Sequence, residues 1–150
     1  MRWFAERESG RKTSARNSFF GKITSLKKGS VQTLLELSVT DGKSIKTIVT
    51  NDSVKKMGLK VGRMITAEIK APWLVMERPD SPGCTSLDNE REGTITKVTR
   101  GKVNTECLVK IGKELELCAV ISTPGFDRLS LAVGDQARVL FGCNSVTLHS

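Results

Sequence analysis

The chain has 150 residues, which is enough for one domain with a real core or for two small ones. Its 38% hydrophobic and 27% charged residues are ordinary for a soluble protein, and no apolar run approaches the roughly 20 residues of a membrane span. The net charge of +8 favours anionic partners, whereas the absence of Tyr and 5% aromatic content provide few platforms for stacking bases. Because the first residues also lack an apolar stretch of signal-peptide length, we expect a cytoplasmic protein.

The first candidate functional stretch lies directly after residues 1–12, which we predict to be an N-terminal tail. Ser14 to Asn17 places a hydroxyl, a guanidinium and an amide at the start of a predicted strand. Arg16 offers five N–H donors in a fixed fork and no acceptor, so an oxyanion is its natural partner. The alternative is an ordinary polar start of a strand.

The chain repeats itself after 72 positions without a gap. Matching pairs include Gly21 and Gly93, Ile23 and Ile95, Gly29 and Gly101, Leu59 and Leu131, and Gly62 and Gly134. The repeat predicts two domains, residues 13–77 and 86–150. Residues 78–85, which contain two prolines and a glycine, are predicted to be the linker between them.

Alternating apolar residues predict strands within each unit. One such run is Val31, Thr33, Leu35, Leu37 and Val39, which is repeated as Val103, Thr105, Cys107, Val109 and Ile111. Another is Ile65, Ala67, Ile69 and Ala71, which is repeated as Ala137, Val139, Phe141 and Cys143. Asp41-Gly42 predicts a hairpin, and residues 51–58 suit a short helix capped by Thr50 or Asn51. The fold class is therefore all-β, with two tandem OB-like five-stranded β-barrels, each with one short helix.

Two further places in the first unit suit an anion. Thr50 and Ser53 lie where a strand runs into a helix start, whose first N–H groups lack partners, although simple capping is an alternative. Lys70 lies at the end of a strand in which Ile69 and Ala71 face the core, so it projects from the opposite face; the alternative is a solvated lysine.

The second unit replaces these candidates. Arg16 corresponds to Asp88, Ser53 to Gly125, Lys70 to Gly142 and Ala71 to Cys143, whereas Ser14 and Asn17 correspond to Ser86 and Asn89. This pattern fits an anion site that only the first unit retains. The four cysteines form no zinc-binding spacing, and we expect reduced, buried thiols at positions 107 and 143. We find no catalytic constellation or phosphate-binding loop, and therefore predict no enzyme activity.

With these residues, the chain resembles the molybdate-binding Mop, or TOBE, family, and its tandem repeat is similar to the di-Mop arrangement of molbindins. The stretches Thr13–Gly21 and Lys70–Trp73 resemble the C-terminal half of ModE-type molybdate-responsive transcription regulators. The resemblance implies an oxyanion ligand, molybdate or tungstate, with no cofactor and no metal coordinated directly by side chains. The ligand-binding positions it implies are Ser14, Ala15, Arg16, Thr50, Ser53, Lys70 and Ala71.

The resemblance also implies a homodimer, with ligand sites at the subunit interface and strands exchanged between partners. It favours the ligand-sensing module of a molybdate-responsive regulator, with DNA contacted only through a winged helix-turn-helix for which residues 1–12 are too short. The alternatives are a stand-alone molbindin for molybdate storage and homeostasis, and a nucleic-acid-binding OB module.

Overall fold

Ten strands form most of the structure that is described. The computed structural model describes residues 16–81 and 83–150, with only the backbone of Arg16, so Ser14, Ala15 and the predicted tail lie outside the described residues. The strands are β1 (Arg16–Lys28), β2 (Gln32–Val39), β3 (Ser44–Thr50), β4 (Met64–Lys70), β5 (Val75–Glu77), β6 (Asn89–Arg100), β7 (Asn104–Lys110), β8 (Glu116–Ser122), β9 (Gln136–Phe141) and β10 (Thr147–His149).

Helical structure in the described ranges is short. The α-helices are α1 (Asn51–Met57) and α2 (Thr123–Leu129), and the 3-10 turns are Ala71–Trp73 and Cys143–Ser145. No helix in these ranges is long and apolar enough to cross a lipid bilayer.

The strands form two five-stranded antiparallel sheets that exchange their last strands. The orders are β10-β4-β1-β2-β3 and β5-β9-β6-β7-β8. Thus β5, which precedes the linker, pairs with β9 of the second unit, and β10 pairs with β4 of the first. The predicted fold class is confirmed. This exchange joins the two units of one chain, and the exchange expected between subunits stays a prediction.

Both units have the same irregularity in the pairing of their first two strands. The pairing of β1 with β2 shifts register between Ile23 and Ser25, and that of β6 with β7 shifts between Ile95 and Lys97. A β-bulge of this kind bends a strand, which lets each long first strand pair along two neighbours. A Cβ on Gly21 would lie 2.6 Å from the Ser38 carbonyl oxygen, so only glycine fits there.

The alternating positions face the interior, with one exception in each unit. Leu35, Leu37 and Ile69 are fully buried, as predicted. Val31 and Val103 were predicted to start the alternating strands, but they are 70% and 71% exposed. The prediction is wrong because both valines precede their strands, where their carbonyl oxygens accept hydrogen bonds from Asn51 and Thr123 at the helix starts.

Candidate functional site: two groups at opposite ends of the first barrel

Thr50 and Ser53 form one group, at the corner between β3 and α1. The Thr50 hydroxyl oxygen caps the helix by accepting a hydrogen bond from the Ser53 amide at 3.1 Å, and donates to the Ser53 hydroxyl at 2.9 Å. Capping, which the sequence left as an alternative, is therefore one role of Thr50. The hydroxyl proton of Ser53 remains available to a further acceptor such as an anion.

Arg16, Lys70 and Ala71 form the other group. Arg16 and Lys70 are opposite each other in the pairing of β1 with β4, so two basic residues share one register position. Lys70 is exposed and its Nζ lies 5.2 Å from the centroid of the Trp73 ring, a cation–π contact that restrains the ammonium. Ala71, fully buried, starts the 3-10 turn that ends the strand.

One chain does not bring the two groups together. Thr50 pairs with Gln32, next to the end of β1 at Lys28, whereas Lys70 pairs with Arg16 at the start of β1. The two groups therefore lie at opposite ends of a 13-residue strand, which spans up to about 40 Å when straight.

The end of the first unit that carries the basic group packs against the second unit. The turn Ala71–Trp73 packs on β8, and Ala71 joins a buried cluster with Leu108, Cys118 and Val120. The equivalent turn of the second unit, Cys143–Ser145, packs on β3 of the first unit. The two units are therefore related by approximate two-fold symmetry.

In the second unit, the place equivalent to the basic group is occupied by Asp88 and Cys143. The Cys143 thiol, 5% exposed, donates a hydrogen bond to the Asp88 carboxylate at 3.0 Å. Burial, reinforced by this hydrogen bond and the nearby charge, raises the pKa of Cys143 to about 12. The thiol is therefore protonated at neutral pH, and the acidic side chain of Asp88 disfavours an anion at this end of the second unit.

Asn17 has a role that sequence reasoning missed. It is fully buried, its side-chain amide donates to the Cys118 carbonyl at 2.9 Å, and its oxygen accepts from the Cys118 amide at 2.7 Å. Asn89 makes the equivalent pair with the backbone of Lys46. These residues join the two units, and the signal for a structural role was that both copies retain asparagine.

The cysteines provide a test of burial. We expect one thiol per chain, that of exposed Cys84, to react rapidly with Ellman's reagent at pH 8, because Cys107, Cys118 and Cys143 are buried. Burial also raises the pKa of Cys107 to about 11, which lowers its thiolate fraction further. Cys84→Ser should abolish the rapid phase, and urea should expose the remaining thiols. Rapid reaction of two or more thiols in the folded protein would contradict this burial.

The duplicated five-stranded units and the two-fold strand exchange define the class of protein. The chain belongs to the TOBE domain family, whose model matches residues 13–76 and 85–148. A relative among curated proteins is the molybdenum-pterin-binding protein MopA of Rhodobacter capsulatus, 35% identical over 137 residues that cover 91% of this chain and 52% of that protein. The transcriptional regulator ModE of Escherichia coli K12 is 31% identical over 91% of this chain and 51% of its own length.

A solved structure has the same arrangement. The cytoplasmic molybdate-binding protein ModG, crystallised with molybdate, superposes with a TM-score of 0.85 and 28% identity, covering 92% of this chain and 98% of ModG. By contrast, the chain spans about half the length of the curated relatives MopA and ModE.

Proposed function

We propose that this protein binds molybdate or tungstate in the cytoplasm, as the ligand-sensing module of a molybdate-responsive regulator. The observation that carries the proposal is the basic register position of Arg16 and Lys70, which the second unit replaces with Asp88 and Gly142. The names of the relatives support the ligand: MopA binds molybdenum-pterin and ModG binds molybdate. ModE, a transcriptional regulator, supports the sensing role.

The chemistry of the proposed ligands suits a tetrahedral dianion. The ligands are Ser14, Ala15, Arg16, Thr50, Ser53, Lys70 and Ala71, which supply a guanidinium, an ammonium, hydroxyls and backbone amides. Charge-assisted hydrogen bonds contribute roughly 1.5–3 kcal/mol each, and about −8 kcal/mol corresponds to micromolar affinity. A set rich in donors and without a carboxylate favours an anion without protons over phosphate, which carries at least one proton near pH 7.

We further propose that the complete site forms between two chains in a homodimer. The separation along β1 supports this arrangement. In a dimer, Arg16 and Lys70 of one chain could meet Thr50 and Ser53 of its partner. An anion held between two positively charged subunits offsets their repulsion, so binding would tighten the dimer. An attached output domain could detect that change.

A stand-alone binding protein is the second candidate, favoured by one observation. The match covers 98% of ModG, so the tandem unit is nearly the whole of that protein. A store predicts many ions per assembly, including sites around the second unit, whereas a sensor predicts about one ion per first unit. The stoichiometry of binding separates the two.

Titration calorimetry tests the ligand. We expect heat from molybdate and tungstate but little from phosphate, and a loss of molybdate affinity of roughly tenfold to 100-fold in Arg16→Ala and in Lys70→Ala. Lys60→Ala, which removes an exposed lysine elsewhere, is the charge-matched control. Equal heat from sulfate would reduce the proposal to generic anion binding. Unchanged affinity in both variants would place the site elsewhere.

A further inference from the structure

The interface between the two units contains a charged contact that breaks its two-fold symmetry. Arg91 in β6 is a buried cation of the second unit, with 3% of its side chain exposed. Its Nε lies 2.6 Å from the carboxylate of Asp41, in the β2–β3 hairpin of the first unit, and 10% of the Asp41 side chain is exposed. A second guanidinium nitrogen donates to the Ser44 carbonyl at 3.1 Å, so the cation is bound to the hairpin at two points.

Neither residue has an equivalent of its own kind. The position of Arg91 is occupied in the first unit by Phe19, and the position of Asp41 is occupied in the second by Lys113. The Arg91 guanidinium lies 5.8 Å from the centroid of the Phe19 ring, so the two counterparts meet across the interface. The hairpin tips also meet, because Asp41 and Lys113 line the same cavity of about 350 Å³.

This asymmetry changes which units are compatible. The backbone contacts of Asn17 and Asn89 are of the same kind on both sides, so they would form equally well between two like units. Pairing two first units would instead bury two Asp41 carboxylates without a cation. Pairing two second units would bring together two Arg91 and two Lys113 side chains. Burying a charge without its partner costs several kcal/mol, whereas the observed pairing is balanced.

We propose that the contact between Arg91 and Asp41 determines which units pair: a first unit accepts a second unit and rejects another first unit. The partner that fits the Asp41 hairpin is therefore a barrel with a buried arginine at this position. One consequence concerns assembly. First units cannot meet each other through the strand-exchange surface, so each chain presents its first unit to other partners through the remaining surface.

Two substitutions reproduce the like pairings inside the tethered chain. Arg91→Phe gives the second unit the residue of the first, and Asp41→Lys gives the first unit the residue of the second. We expect each to raise the equilibrium constant for unfolding, measured by urea denaturation of the full chain, by about 100-fold or more. Lys60→Asp is the matched control, because it makes an equally large charge change at an exposed position outside the hairpin contact and should change the constant by less than about threefold.

Charge reversal distinguishes pairing specificity from simple packing. The double variant Asp41→Lys with Arg91→Asp restores opposite charges with reversed polarity, and should recover at least tenfold relative to Asp41→Lys alone. If Asp41→Lys does not fold, a folded double variant still supports the proposal. A double variant as unstable as the single one, or single variants within about threefold of the wild type, would overturn it.

Discussion

Two variants that each fail to bind molybdate should recover binding when they are mixed. One variant carries Arg16→Ala and Lys70→Ala and lacks the basic group. The other carries Thr50→Ala and Ser53→Ala and lacks the hydroxyl group. In a mixed dimer, one interface site combines the intact basic group of the second variant with the intact hydroxyl group of the first. Each variant alone should lose at least about 100-fold in affinity, since several charge-assisted or hydroxyl hydrogen bonds are removed together.

The two-fold symmetry of the dimer sets the fraction of sites that should recover molybdate binding. After joint unfolding and refolding, random pairing yields mixed dimers as half of the total, and each has one complete site, so about one site in four should bind. Calorimetry of the mixture reports this stoichiometry directly. The Thr50 change also removes a helix cap, at a cost of about 1 kcal/mol, so thermal unfolding of each variant must first show a folded protein.

The outcome separates two locations for the site. If a single chain builds a complete site, every chain in the mixture remains defective and no binding returns. If Arg16 and Lys70 instead acted in a place unrelated to Thr50 and Ser53, one of the two variants would still bind molybdate before mixing. Binding restored to wild-type stoichiometry would also contradict the proposal, because each mixed dimer contains one site that lacks both groups.

Local patterns in the sequence predicted most of the individual elements. Alternation located the strands around Leu35 and Ile69, and the 72-residue repeat predicted two barrels. Strand exchange could not be read in this way, because β5 and β10 have three residues each and alternation over three residues does not specify a partner. The short strands pair across the units because the 3-10 turns direct the chain onto the opposite barrel.

The sequence indicated the chemical type of the candidate residues but not where they lie relative to one another. Donor types at Arg16, Thr50 and Lys70 indicated an oxyanion, but their separation depends on which end of β1 each neighbouring strand joins. The hairpin at Asp41 was predicted from the sequence, but the register shift after Ile23 is an interaction between strands that alternation does not reveal. The role of Arg91 also follows only from the three-dimensional contact with Asp41, since a lone arginine in an alternating strand gives no sign of its partner.

Asn17→Ala should be among the most damaging single changes to the fold. The substitution removes three hydrogen bonds, two to the backbone of Cys118 and one to the Ile69 carbonyl at 3.2 Å, from a fully buried side chain. At about 1 kcal/mol for each bond, with a further penalty for burial, we expect a loss of about 3–5 kcal/mol in the free energy of unfolding. For a chain of this size the loss should lower the melting temperature by about 6–20 °C.

Two comparisons show whether this loss comes from the contact between units. Asn89→Ala removes the equivalent two bonds to Lys46 and should destabilise by a somewhat smaller amount, whereas Ser18→Ala, whose single side-chain contact is 3.5 Å long, should cost less than about 1 kcal/mol. Because Asn17 holds the start of β1 beside Arg16, its loss should also weaken molybdate binding, and Asn89→Ala should not. Equal stability of Asn17→Ala and Ser18→Ala in urea denaturation would mean that Asn17 does not join the units. Equal molybdate affinity of Asn17→Ala and Asn89→Ala would mean that the start of β1 does not position the basic group.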